Sequence, residues 1–112
     1  MKYQCITTLP ALKAYLGDSR IIALDFETSP LDEYRDVPMS ALAPAMALIT
    51  GVSFSVSEGT AIYVPLRHRQ GTNANVDEIL AFLANIMAST ETTKIAHNLS
   101  FEAMFLYHLG IV

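Results

Sequence analysis

The sequence predicts an α/β fold in which a mixed sheet carries helices on its faces. Three observations predict it. Arg20 to Glu27 alternates as a strand, with Ile22, Leu24 and Phe26 on one side and Ile21, Ala23, Asp25 and Glu27 on the other. Leu48 to Val56 and Thr60 to Pro65 are strand-like runs joined by Ser57-Glu58-Gly59, the pattern of a hairpin. An amphipathic helical segment then leads into the short strand Lys94-Ile95-Ala96-His97. An antiparallel group followed by a strand reached through a helix gives a sheet of mixed direction.

The elements follow in order. Thr8 to Gly17 reads as a short helix: Thr8 caps it, Pro10 fits its first turn, and Gly17 suits the left-handed stop. Leu9, Leu12 and Leu16 share one of its faces, and Asp18-Ser19 turns the chain into the first strand. Thr28 to Ala47 contains Pro30, Pro38 and Pro44 and reads as a long irregular connection, of the kind that is usually functional or mobile. In the strand after it, Ser53 and Ser55 alternate with Val52, Phe54 and Val56, so one face is polar. Arg67 to Ala74 reads as polar loop. Asn75 caps the next helix, with Glu78 in the capping-box position. Val76, Ile79, Leu80, Leu83, Ile86 and Met87 recur at helical spacing and face a sheet. Asn98 caps a last helix from Leu99 to Leu109, closed by Gly110. Met39, Met46, Met87 and Met104 read as fillers of irregular core space.

Composition narrows the class. The chain has 112 residues, 52% of them apolar and 16% charged, which excludes a disordered segment. Cys5 is the only cysteine, which excludes a disulfide scaffold and fits a reducing, cytoplasmic compartment. Lys13, Asp18 and Arg20 interrupt any signal-like apolar core. The longest uncharged run, Val37 to Ser57, contains Pro38, Pro44 and Gly51 and reads as loop plus strand, so no membrane partner is expected. A formal charge of −4 excludes a broad basic surface for phosphate, yet it is compatible with an acidic active site neutralised by metal ions.

Two segments can carry chemistry. Asp25-Phe26-Glu27 sets two carboxylates on one face of a strand, about 7 Å apart along it. Like charges so placed are costly unless a cation lies between them, and hard oxygen ligands suit magnesium or manganese. The plain alternative is a solvated strand end at the sheet edge. Ala96-His97-Asn98-Leu99-Ser100-Phe101-Glu102 leads a buried strand into a helix whose first turn carries Glu102, a carboxylate that could equally serve the helix dipole. Arg67-His68-Arg69 could meet phosphate, but a solvated loop is the favoured reading. His97 is read either as facing a nucleotide or as satisfied by backbone, His108 as surface, and Cys5 as inert.

In their order along the chain, these segments resemble the 3′–5′ exonuclease (proofreading) domain of family A DNA polymerases, a branch of the DEDD exonuclease superfamily. Ala23-Leu24-Asp25-Phe26-Glu27-Thr28 looks like its first motif, and His97 to Glu102 like its second. Gly51-Val52-Ser53-Phe54-Ser55 followed by Ala61-Ile62-Tyr63-Val64-Pro65 is similar to its hairpin. The likeness starts at Thr8-Leu9 and covers nearly the whole chain.

The resemblance implies a ribonuclease H-like fold and two-metal hydrolysis of phosphodiesters, with two Mg2+ or Mn2+ ions and release of nucleoside 5′-monophosphates. Asp25 would bridge the ions, Glu27 would bind the ion that activates water, and Glu102, where the family usually has Asp, would hold the second. Thr28, Leu31, Asn98 and Phe101 match positions near the single-stranded 3′ end: Leu31 would pack on bases and Asn98 would hydrogen-bond nucleotide. The family's third motif, with a fourth carboxylate and a water-orienting Tyr or His, has no counterpart before Val112. The expectation is therefore one partial domain over residues 1–112, inactive or very slow alone and prone to self-association. Single-stranded DNA is the expected substrate, and a polymerase domain in a longer protein the expected partner. The alternatives are a ribonuclease D-like enzyme acting on RNA, or a degenerate domain that binds nucleic acid or a partner without cutting.

Overall fold

Alternation along the strands decides what they bury. The structure is a computed structural model that describes residues 2–43 and 47–96. Along the chain run β1 (Lys2–Cys5), α1 (Leu9–Leu16), β2 (Ile21–Pro30), β3 (Ala47–Ser55), β4 (Thr60–Pro65), α2 (Val76–Ala88) and β5 (Thr93–Ala96). The sheet order is β1-β4-β3-β2-β5. The two inner pairings, β2 with β3 and β3 with β4, are antiparallel, whereas β1 joins β4 and β5 joins β2 in parallel. The predicted mixed sheet is therefore present. The last helix expected over Leu99–Leu109 lies outside the described residues.

One face of the sheet is covered. Ile22, Leu24 and Phe26 of β2, Val52 and Phe54 of β3, and Ile62 and Val64 of β4 are buried in a single cluster with Leu12 and Leu16 of α1 and Ile79, Leu83 and Ile86 of α2. Burying a side chain such as Leu83 contributes about 2 kcal/mol. The helices start where the sequence places them. The Thr8 hydroxyl accepts from the Ala11 amide and the Asn75 side chain from the Glu78 amide, each satisfying a donor that the first turn leaves open. Gly17 ends α1 at a φ of 54°, a backbone region that a side chain disfavours.

Three expectations need correction. No strand was read in Lys2-Tyr3-Gln4-Cys5, which is too short to show a period. It forms because the outer edge of β4 offers unpaired backbone groups, and pairing covers that edge. The connection from Thr28 is less irregular than its prolines imply: β2 continues to Pro30, paired with Ala47, and 3₁₀ turns follow at Asp32–Tyr34 and Ser40–Leu42. Met39 fills no core space. It is 74% exposed, at a φ of 61°.

The ladder between β2 and β3 also holds a bulge. Glu27 pairs with Gly51 but Thr28 pairs with Ile49, so Thr50 is the extra residue. The slip turns Ile49 and Ala47 into the core and leaves Leu48 exposed. Thr50 is held on both sides. Its hydroxyl donates to the Glu27 carbonyl, and its own carbonyl accepts from the amides of Leu66 and Arg67.

Candidate active site

The face of the sheet opposite this core carries the first motif. Asp25 and Glu27 are both exposed and project from the side of β2 opposite its buried residues. Their cross-strand neighbours on β3 are Ser53 and Gly51, small residues that leave the carboxylates clear. Among the described residues β5 pairs with β2 as far as Leu24–Ala96, one residue before Asp25. The carboxylate pair thus stands on an inner strand, between β3 and β5 in the sheet order. Beside Asp25 lies an open depression of about 320 Å3, floored by Ala23, Ser53, Ser55 and Ala61 and bounded by Ile95.

A second group stands next to Glu27. His68 Nε2 lies 3.7 Å from Glu27 Oε1 and 2.5 Å from the Tyr63 hydroxyl. The two rings meet edge to face with centroids 5.4 Å apart. Asn73 clips the His68 backbone at both ends: its side-chain oxygen accepts from the His68 amide, and its side-chain nitrogen donates to the His68 carbonyl. Arg67 donates to the Ile49 carbonyl at 2.8 Å, and Arg69 reaches Asp32 at 3.2 Å. Arg67 and His68 are thus half-buried against protein partners, whereas Arg69, though paired with Asp32, stays largely exposed, as the reading of a solvated loop expects. The signal in the sequence was Gly51, a glycine inside a strand, which marks a bulge or a close approach.

Asp32 links the two loops at this end of the sheet. The hydrogen bond from Arg35 and the charges of Arg35 and Arg69 hold its carboxyl below the ordinary carboxylate range.

The candidate residues divide. Asp25 and Glu27 share one exposed face. Thr28 does not join them: it pairs with buried Ile49, and its hydroxyl donates to the Ala41 carbonyl at 2.5 Å. Leu31 is half-buried where β2 passes into the first 3₁₀ turn. Asn98, Phe101 and Glu102 lie outside the described residues. The two carboxylates and the Ser53 hydroxyl are the hard oxygen donors that magnesium or manganese takes, so the donor chemistry fits such an ion. Among the described residues no group of three or more His, Cys, Asp or Glu forms that could hold a metal. Nor is any helix among them long and apolar enough to cross a membrane.

A mixed five-stranded sheet of this order, with helices packed on one face, is a ribonuclease H-like fold. Solved structures share it. NrnC from Brucella melitensis with bound Mg2+ superposes with a TM-score of 0.58 at 23% identity, covering 96% of this chain and 43% of that one. NrnC bound to pGG superposes with a TM-score of 0.52 at 21% identity, covering 97% and 44%. No family model matches the sequence.

The sequence relatives are polymerases. The chain is 31% identical over 103 residues to the DNA-directed DNA polymerase of Pseudomonas phage M6, and 29% identical over 76 residues to DNA polymerase I of Chloroflexus aurantiacus. These matches cover 92% and 68% of this chain but only 15% and 8% of the two polymerases. Kinship with DNA polymerases and the fold of a nuclease together bear out the similarity to a 3′–5′ exonuclease domain of polymerase type.

Proposed function

We propose that residues 1–112 are part of a metal-dependent 3′–5′ exonuclease domain that removes nucleotides from the 3′ end of a nucleic acid as 5′-monophosphates. The observation that carries this reading is the projection of Asp25 and Glu27 from one exposed face of β2, in a chain similar to DNA polymerases. Asp25 and Glu27 would hold the divalent ions, with Glu102 as third ligand. The short run from Ala96 to Glu102 spans up to about 20 Å, enough to bring that carboxylate to the pair. When bound, Mg2+ or Mn2+ would acidify a water and offset charge on the attacked phosphate. In the reaction the water oxygen bonds to phosphorus, the bond to the 3′-oxygen of the preceding nucleotide breaks, and that oxygen takes a proton. Leu31, Asn98 and Phe101 would seat the single-stranded 3′ end, while Thr28 fixes the adjoining connection through Ala41. A polymerase region in the same longer protein, as in the relatives, belongs to this reading, and single-stranded DNA is then the substrate.

Manganese titration of the 112-residue chain tests the site through paramagnetic broadening of assigned amide signals. Broadening centred on Asp25 and Glu27, lost in Asp25→Asn, is expected. Uniform or absent broadening would overturn the cation site. A single-stranded oligonucleotide with a free 3′-hydroxyl is expected to shift the signals around Leu31. Competition between DNA and RNA of one sequence then decides the polymer.

A further inference from the structure

We propose that Tyr63 and His68 are positioning residues for Glu27, holding its carboxylate on the open face in the orientation that a cation takes. The inference rests on the exonuclease reading and extends it to two residues outside the carboxylate set.

The strands supply the geometry. Asp25, Ser53 and Tyr63 form one row across the open face, and Glu27, Gly51 and Pro65 form the next. Tyr63 leans from its own row into the space over Gly51. A Cβ on Gly51 would stand 1.9 Å from the Tyr63 hydroxyl oxygen and 2.2 Å from Cζ, so only glycine leaves room for the ring. The tyrosine thereby crosses β3 to meet His68, 2.5 Å from Nε2. His68 closes the chain of contacts at Glu27, 3.7 Å away.

The supports of His68 do not depend on Glu27. Asn73 holds its backbone from both sides, and the neighbouring Arg67 is tied to β3 through its amide and its guanidinium. The imidazole therefore projects from a fixed point. The bulge at Thr50 fixes the other end, because the Thr50 hydroxyl binds the Glu27 carbonyl. An exposed glutamate samples many rotamers, and a metal site uses few of them. A neighbour that selects the right ones raises affinity without being a ligand, as partners behind metal-binding side chains do.

The test uses the 112-residue chain at one fixed pH throughout. Two measurements are made: the His68 ring nitrogen signals without metal, and Mn2+ affinity by calorimetry. Glu27→Gln and Tyr63→Phe are each expected to shift the His68 ring signals. His68→Ala is expected to weaken Mn2+ binding about 10-fold, and Tyr63→Phe by less. His68→Gln, whose amide nitrogen falls near the place of Nε2, is expected to recover most of the loss, which a merely structural role would not predict. Gly51→Ala places a Cβ where the Tyr63 ring lies, drives the ring aside and is expected to match Tyr63→Phe. Ring signals indifferent to both Glu27→Gln and Tyr63→Phe would overturn the positioning role, as would wild-type Mn2+ affinity in His68→Ala. Mn2+ uptake that is absent, or that survives Asp25→Asn, would instead remove the exonuclease site, and the role assigned here with it. The two failures are thus read in different variants.

Discussion

On β2, Ile22, Leu24 and Phe26 lie buried beneath α1 and α2, while Ile21, Asp25 and Glu27 on the opposite side are exposed. On β3, Val52 and Phe54 are buried, while Ser53 and Ser55, both half-buried, line the opposite side. The same strands thus build two faces of opposite chemistry, one apolar and closed by helices, the other bearing carboxylates. The closed face shows what holds the fold, and the open face shows what the fold presents. Because side chains alternate with a period of two, a slip of one residue would exchange these roles. At Thr50 the chain makes such a slip, next to Glu27, and confines its consequences to the far end of β3.

The largest expected effect separates the faces. Phe54 is 1% exposed, and Phe54→Ala should cost about 4 kcal/mol in urea unfolding, through lost burial and the cavity left behind. Asp25→Asn, on the neighbouring strand but the open face, should change stability by less than about 1 kcal/mol while removing Mn2+ uptake. Equal destabilisation by the two would break the comparison, because Asp25 would then belong to the framework. A smaller effect sharpens it from the helix side. Asn75→Ala removes the acceptor for the Glu78 amide and should lower stability by about 1 kcal/mol without altering Mn2+ affinity. Loss of cation binding in that variant would show that α2 shapes the open face through the sheet.

The smallest effect concerns the link between the two loops. The Asp32 carboxyl is held below its ordinary range by Arg35 and Arg69, so its contribution to stability is present above the unfolded carboxylate range and fades as the pH falls through the lowered folded value. Wild type and Asp32→Asn should therefore differ slightly in thermal midpoint at neutral pH and converge in acid. A gap that widens as the pH falls would refute this sign.

Much of this was legible in the sequence. Thr8, Gly17 and Asn75 marked the ends of the helices because caps are local chemistry, satisfied within a few residues. The burial of Ile22, Leu24 and Phe26, and the shared face of Asp25 and Glu27, followed from alternation alone. β1 was not legible, since Lys2-Tyr3-Gln4-Cys5 becomes a strand only when β4 lies beside it. His68 was not legible either. Its partners Tyr63 and Glu27 come from two different strands, and the loop it sits in looks merely polar.

By itself the sequence determined the periods, the caps and the side of β2 that is charged, because each is set by neighbours a few residues apart. The tertiary structure alone decided that β1 pairs with β4, that Thr50 is squeezed out of the ladder, and that Tyr63 spans Gly51 to bring His68 against Glu27. These depend on which backbone edges are left unpaired and on the space between strands distant in sequence, and those quantities exist only once the sheet has formed.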